Sequence, residues 1–408
     1  MDRFMKQVAV LGYGTVGSGV VEVIDRNSAV IEKRVGEKLN VKYILDLRDF
    51  PGDPNEKKVV HDINVILDDP EVEIVCETMG GNEPAFTFSK NALLKGKSVC
   101  TSNKELVANH GPELLKLAKE NNCNYLFEAS VGGGIPVIRT INEALTAEII
   151  DGITGILNGT TNYILTKMDR EGAKFDDVLK QAQDLGYAEK NPEADVEGYD
   201  ACRKIAILSS LMTGHYVHFE DIYTEGITKI TPEDFKYAKA LNCTIKLLAM
   251  SKEDNGSYYA MVAPFLIGKE TALYNVNDVF NGVFIHSNML DDSMYYGRGA
   301  GKLATASAVV GDVIEAAKNK GKNLPIFWDD TKVNLLGIGE VNRSFLVRVK
   351  EAECDKAKVE AAFGNVTYVT DAGVDGEIGF VTPMMKEKDF EAKLGNLSGV
   401  IGRIRLDK

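Results

Sequence analysis

Val8-Ala9-Val10-Leu11-Gly12-Tyr13-Gly14-Thr15-Val16-Gly17 is the stretch on which the fold turns. Four β-prone residues run into glycines spaced G-x-G-x-x-G, and an apolar helical pattern follows at Val16, Val20, Val21, Val23 and Ile24. The spacing alone says little; its setting between a strand and a helix gives it meaning. Gly12 permits a tight turn, Gly14 lets a pyrophosphate approach the backbone, and Gly17 lets the helix lie against the strand. Amides at the helix start, around Thr15 and Val16, would face phosphate charge. The competing reading is a glycine turn that holds no nucleotide.

Further strands are expected at Val41–Leu45, Val72–Cys76, Lys97–Thr101 and Cys123–Phe127. In a parallel sheet, ligands bind beyond the carboxyl ends of the strands. Asp46, Arg48, Thr78, Lys104 and the loop Val131-Gly132-Gly133-Gly134-Ile135 all fall there. Asp46 suits the ribose hydroxyl of NAD and Arg48 the 2′-phosphate of NADP, so cofactor choice stays open on these residues.

The chain has 408 residues, 44% hydrophobic and 26% charged, which predicts a soluble protein of two or three domains. Its net charge of -13 argues against a nucleic-acid surface. No apolar run is long enough to span a bilayer, and Met1–Lys6 carries no signal-peptide pattern. Six scattered cysteines fit a reducing compartment, so a cytoplasmic protein is expected. His215 and His218 lack a third ligand for zinc. Cys76, Cys100 and Cys123 fall in predicted strands, where packing is the usual role, which counts against thiol-dependent aldehyde chemistry.

The middle of the chain carries the chemistry. A strand ends near Leu157, and a helix begins at Thr160 to Asn162. After Gly186, a loop bears Glu189, Asp195 and Glu197 and leads into a helix with Asp200 and Lys204 on one face. Taken alone, that pair is a helix-stabilising ion pair. Acidic residues gathered ahead of a lysine also make a cradle for an ammonium group, and a tuned lysine can move a proton at a carbonyl oxygen.

Ala182 to Lys204 resembles the homoserine dehydrogenase signature at Ala182, Gly186, Tyr187, Ala188, Asn191, Pro192, Asp195, Val196, Gly198, Asp200 and Lys204. The glycine motif, the segment ending at Lys104, the loop from Glu128 and the Asn158-Gly159-Thr160-Thr161-Asn162 stretch follow in the family's order, so the resemblance covers about residues 7 to 315. It implies reversible reduction of L-aspartate 4-semialdehyde to L-homoserine in threonine, methionine and isoleucine biosynthesis, with NAD or NADP as cofactor, NADP slightly favoured. It implies Lys204 as general acid/base and Lys104 as a second catalytic-site lysine near nicotinamide and substrate. Glu189, Asp200 and Asp195 would bind the substrate, and Gly12, Gly14, Thr15, Val16, Gly17, Arg48, Thr78, Lys104, Gly186 and Gly301 the cofactor. A sodium site is implied at Glu128, Val131, Gly133 and Ile135, chiefly through backbone carbonyls. The rival of another class is a non-catalytic dinucleotide sensor.

The fold expected from these readings is α/β. It has an N-terminal Rossmann domain over 1–137 completed by 300–320, an α+β catalytic and dimerisation domain over 138–299, and a ferredoxin-like βαββαβ module over 341–408. The last resembles ACT regulatory modules, but Lys350-Glu351-Ala352-Glu353 replaces their acidic-x-proline-glycine turn, leaving assembly as the alternative to threonine feedback. A homodimer or homotetramer is expected. With the glycine motif at the start of the chain, no preceding kinase domain is expected.

Overall fold

Alternation of short apolar strands with amphipathic helices predicts a doubly wound sheet, and the computed structural model, which describes residues 5–407, has one. Met1–Phe4, part of the N-terminal stretch read above, lie outside the described residues. The strands are β1 (Met5–Leu11), β2 (Lys38–Leu45), β3 (Val59–Val60), β4 (Val72–Glu77), β5 (Ser98–Thr101) and β6 (Tyr125–Leu126). Their order is β3-β2-β1-β4-β5-β6, and every pairing is parallel. With strands added on either side of β1, this is the dinucleotide-binding order. β6 is shorter than the expected run because Tyr125 and Leu126 alone find partners on β5.

The chain divides into two units. The first is Met1–Glu148, Ala206–His218 and Gly297–Val333, and it holds this sheet. The helix Lys302–Lys318 returns to pack on the helix Thr15–Arg26. At their contact, a Cβ on Gly19 would stand 2.8 Å from the carbonyl oxygen of Lys302, so glycine is what permits the approach. Val8, Val10, Ile44, Ile74, Val309 and Val313 are buried together in the core between sheet and helices. Burying side chains of this size contributes about 1.5–3 kcal/mol each.

The second unit is Ile149–Ile205, Phe219–Tyr296 and Asn334–Lys408. Its strands begin with β7 (Ile150–Ile156), β8 (Tyr223–Thr224), β9 (Cys243–Asp254) and β10 (Ser257–Gly268). Next come β11 (Phe280–Ser287), β12 (Asp291–Arg298), β13 (Asn342–Lys350) and β14 (Thr367–Val369), then β15 (Glu377–Val381), β16 (Met385–Lys386) and β17 (Val400–Asp407). They form a mixed sheet ordered β12-β11-β7-β9-β10-β17-β13-β15-β14, with β8 on β10 and β16 on β13.

The C-terminal segment therefore does not stand apart. β17 pairs in parallel with β10 from Phe265 to Ile267, and antiparallel with β13 on its other side. Arg348 of β13 is buried and bonds Asp234 at 2.6 Å and Glu377 at 2.8 Å, a second tie across the same junction. Limited proteolysis should accordingly release no stable fragment spanning 341–408, and β17 amides should exchange as slowly as those of β10. Early exchange of β17 together with β13 and β15, ahead of β10, would show an independent module.

Candidate active site

Gly12 and Gly17 of the motif answer steric demands within the first unit, and Gly14 leaves open space. Gly12 has φ +89° and its amide donates to the Leu45 carbonyl at 2.8 Å. A Cβ on Gly17 would stand 1.9 Å from the Gly12 carbonyl oxygen, whereas one on Gly14 would meet nothing within 4 Å. The space beside Gly14 and the first amides of the helix Thr15–Arg26, including those of Thr15 and Val16, suits a pyrophosphate. Thr78 Oγ1 lies 2.9 Å from the Leu11 carbonyl and 3.0 Å from that of Gly12, pinning the loop from below.

At the end of β2, the Asp46 carboxylate is already engaged. It accepts the Tyr13 amide at 2.8 Å and the Arg48 amide at 3.0 Å, and Arg48 Nε and Nη2 each at 3.0 Å. The Arg48 guanidinium, exposed and 5.1 Å over the Phe50 ring, holds the Asp46 carboxyl well below the usual carboxylate range. The two residues left open by the sequence thus form one fork.

The exits of β4 and β5 are bound together by a buried carboxylate. Burial pushes the Glu77 carboxyl up, while the Thr101 hydroxyl at 2.6 Å and the Met79 amide at 2.8 Å oppose that rise. Asn103 bonds the Gly81 carbonyl at 2.6 Å and caps the next helix by accepting the Leu106 amide at 3.1 Å. Half-buried Lys104 occupies the first turn of that helix, at the sheet's carboxyl edge.

Beyond β6, the glycine-rich loop is closely packed. Gly132 and Gly133 have positive φ, and a Cβ on Gly133 would stand 2.6 Å from the Gly299 carbonyl group. Gly301, at φ +118°, begins the returning helix. Val131 and Ile135 are buried. Glu128 uses its carboxylate to accept the amides of Ile138 at 2.9 Å and Arg139 at 2.7 Å. Arg139 also bonds buried Asp312 at 2.7 Å. Asp312 alone of the two carboxyls takes the guanidinium and also accepts the Glu128 amide at 2.9 Å; burial raises both, Asp312 to about 7.

The second unit brings Asn158, Asp195, Asp200 and Lys204 together. Strand β7 ends at Ile156, and Asn158 caps the helix Gly159–Glu171 by accepting the Thr161 amide at 2.8 Å. The same side chain donates to Asp195 Oδ1 at 2.7 Å and to Asp200 Oδ2 at 2.9 Å. Lys204 Nζ donates to Asp200 Oδ2 at 2.7 Å and to the Leu157 carbonyl at 2.8 Å. The side chains of Lys204 and Asp200 are 11% and 8% exposed, so this is no solvated helix-surface pair. Thr160 ties the loop by donating to the Tyr187 carbonyl at 2.6 Å. Gly186, at φ +75°, and Glu189 lie exposed on that loop.

Residues 136–314 match the family profile described as homoserine dehydrogenase, and residues 12–128 match that of the homoserine dehydrogenase NAD binding domain. The homoserine dehydrogenase of Bacillus subtilis is 41% identical over 317 residues, covering 77% of this chain and 73% of its own. The chain belongs to the homoserine dehydrogenase family. A homoserine dehydrogenase from Thiobacillus denitrificans superposes with a TM-score of 0.90 at 34% identity, over 99% of each chain. A hyperthermophilic archaeal homoserine dehydrogenase solved in complex with NADPH superposes at 0.65 and 29% identity, over 77% of this chain and 98% of that one.

The protein is thus an oxidoreductase acting on a CH–OH group, not a non-catalytic sensor. For a homoserine dehydrogenase, the node in the second unit has an unexpected member. Asn158 reads in sequence as part of a helix start; its bridging of two acidic residues 37 and 42 positions away has no local signature.

Asp312 offers a pH test of the first unit. Its carboxyl is raised above the unfolded value of about 4, so between there and about 7 the folded chain holds more protons than the unfolded one. Stability from this group is complete below pH about 4 and falls as pH rises through about 7. Urea midpoints of Asp312→Asn should therefore vary less over pH 4–7 than those of the wild type. An equal slope in both would remove Asp312 from the titration.

Proposed function

We propose that Lys204 is the general acid/base of homoserine oxidation and aspartate-semialdehyde reduction. The carrying observation is a buried ammonium held by Asp200 and a main-chain carbonyl, beside the acidic loop. Asp195 and Asp200, with exposed Glu189 from the same loop, bind the substrate ammonium, and Lys104 supplies positive charge for the carboxylate. Bound nicotinamide gives hydride to the aldehyde carbon, or takes it from the alcohol in reverse. In reduction, Lys204 donates a proton to the aldehyde oxygen as its carbon gains hydride, which leaves the alcohol neutral.

We assign NADP as the favoured nucleotide. The Asp46 carboxylate is occupied by Tyr13 and Arg48, and the exposed Arg48 guanidinium suits a 2′-phosphate better than Asp46 suits a ribose diol. Gly12, Gly14, Thr15, Val16, Gly17 and Thr78 form the pyrophosphate turn, with Gly186 and Gly301 as further contacts. A monovalent cation would take main-chain carbonyls from Glu128, Val131, Gly133 and Ile135. In support, the Glu128 carboxylate already serves two amides. No helix among the described residues is long and apolar enough to cross a membrane. We read the protein as a cytoplasmic homodimer or homotetramer.

The C-terminal β13, β15, β14 and β17 take the antiparallel order β17-β13-β15-β14, with the helices Lys356–Phe363 and Glu387–Leu394 between strands. This order supports an ACT-like βαββαβ arrangement fused to the catalytic sheet, with a structural task.

Lys204→Ala should bind nucleotide normally yet lose on the order of 10²–10⁴ in kcat, followed by NADPH absorbance with L-aspartate 4-semialdehyde. Retained turnover would remove the acid/base role. Arg48→Ala should weaken NADP binding by about 10- to 100-fold while leaving NAD unchanged or improved. An equal loss for both nucleotides would contradict the assignment.

A further inference from the structure

The loop that carries Asp195 and Asp200 is held from one side by the segment following β8. The Ile227 amide donates to the Val196 carbonyl at 2.8 Å, and the Thr228 hydroxyl to Glu197 Oε1 at 3.1 Å. Contact is so close that a Cβ on Gly226 would stand 2.2 Å from the Val196 carbonyl oxygen and 2.5 Å from the Glu197 Cα. The end of the helical turn Glu193–Val196 and the Glu197 that leads toward the helix Tyr199–Thr213 thus rest on Gly226 and Ile227.

Immediately before Gly226 stands Glu225, and its partners come from the far end of the chain. Arg403 Nη1 lies 2.9 Å from both carboxylate oxygens, and Arg405 Nη1 lies 2.7 Å from Oε2. Tyr223 adds its hydroxyl at 2.9 Å. Arg405 is itself fixed, 1% exposed and forked onto buried Glu387 at 2.9 Å through both Nε and Nη2. Both arginines lie on β17, which β10 and β13 hold on either side. A carboxylate with four donor contacts and two guanidinium partners has one position available. A surface ion pair would not fix it so.

We infer that Glu225 is a positioning residue for the substrate, locked by Arg403 and Arg405 of the last strand so that Gly226 and Ile227 set the height of the Asp195–Asp200 loop. The inference rests on the reading of Asp195 and Asp200 as ligands of the substrate ammonium. It gives the C-terminal segment a task in catalysis that needs no effector. The last strand braces the amino-group pocket through one carboxylate and one backbone contact. Nucleotide binding, built from the glycine motif, lies outside this chain of contacts.

The test compares Glu225→Gln, Gly226→Ala, Thr228→Val and Asp200→Asn in the full-length protein, reading KM for L-homoserine, kcat, nucleotide dissociation constant and melting temperature. A misplacement of about 1 Å at a reacting group costs on the order of 10²-fold. Glu225→Gln and Gly226→Ala should therefore each raise KM for L-homoserine about tenfold or more, with nucleotide affinity unchanged. Thr228→Val, an exposed change that removes one loop bond, should give a smaller rise of about two- to threefold. Glu225→Asp, which keeps the charge, should recover part of the loss in Glu225→Gln. Lowered melting temperatures with wild-type KM in Gly226→Ala and Thr228→Val would overturn the inference, provided Asp200→Asn raises KM. Wild-type KM in Asp200→Asn would instead overturn the ammonium-ligand reading, and the inference with it.

Discussion

The ion pair between Lys204 and Asp200 is the constraint around which the second unit is arranged. Two charges taken out of water cost several kcal/mol each unless further hydrogen bonds complete their shells. Here Asn158 donates to the Asp200 oxygen that Lys204 also contacts, and the Leu157 carbonyl accepts from the ammonium. The exit of β7, the cap of the following helix, the acidic loop and the helix Tyr199–Thr213 are thereby held to one set of positions. Removing one member would leave a buried charge uncompensated.

In the first unit, backbone shape does the corresponding work. The glycine turn is tight because Gly12 adopts φ +89° and Gly17 has no Cβ to strike the Gly12 carbonyl. Thr78 and Glu77, from the end of β4 and the loop after it, anchor that turn and the neighbouring exits without entering the space beside Gly14. The Asp46–Arg48 fork sits at the end of β2, where a nucleotide ribose is read in sheets of this order.

Much of this was legible in the residues. β1, β2, β4 and β5 lie where apolar runs meet glycine or polar exits, and the helix Glu387–Leu394 has the bounds its pattern predicts. The spacing of Asp200 and Lys204 predicts a shared helix face, and the fold buries that face. Other features had no local signal. Period-two alternation at β17 says that a strand forms but not that β10 receives it, so the C-terminal segment read as separate. Glu225 lies 178 residues from Arg403, and only the assembled sheet brings the two together. Asn158 announces a helix cap; its second task as a bridge depends on a loop far along the chain.

The most direct test of the Lys204–Asp200 node is a double-mutant cycle on the hydride-transfer rate at saturating substrate, using Lys204→Met, Asp200→Asn and the double variant. Groups acting as one unit are strongly non-additive, so the double variant should be little slower than Lys204→Met alone. Rate losses that simply multiply would mean that the two residues act independently, and would contradict the account.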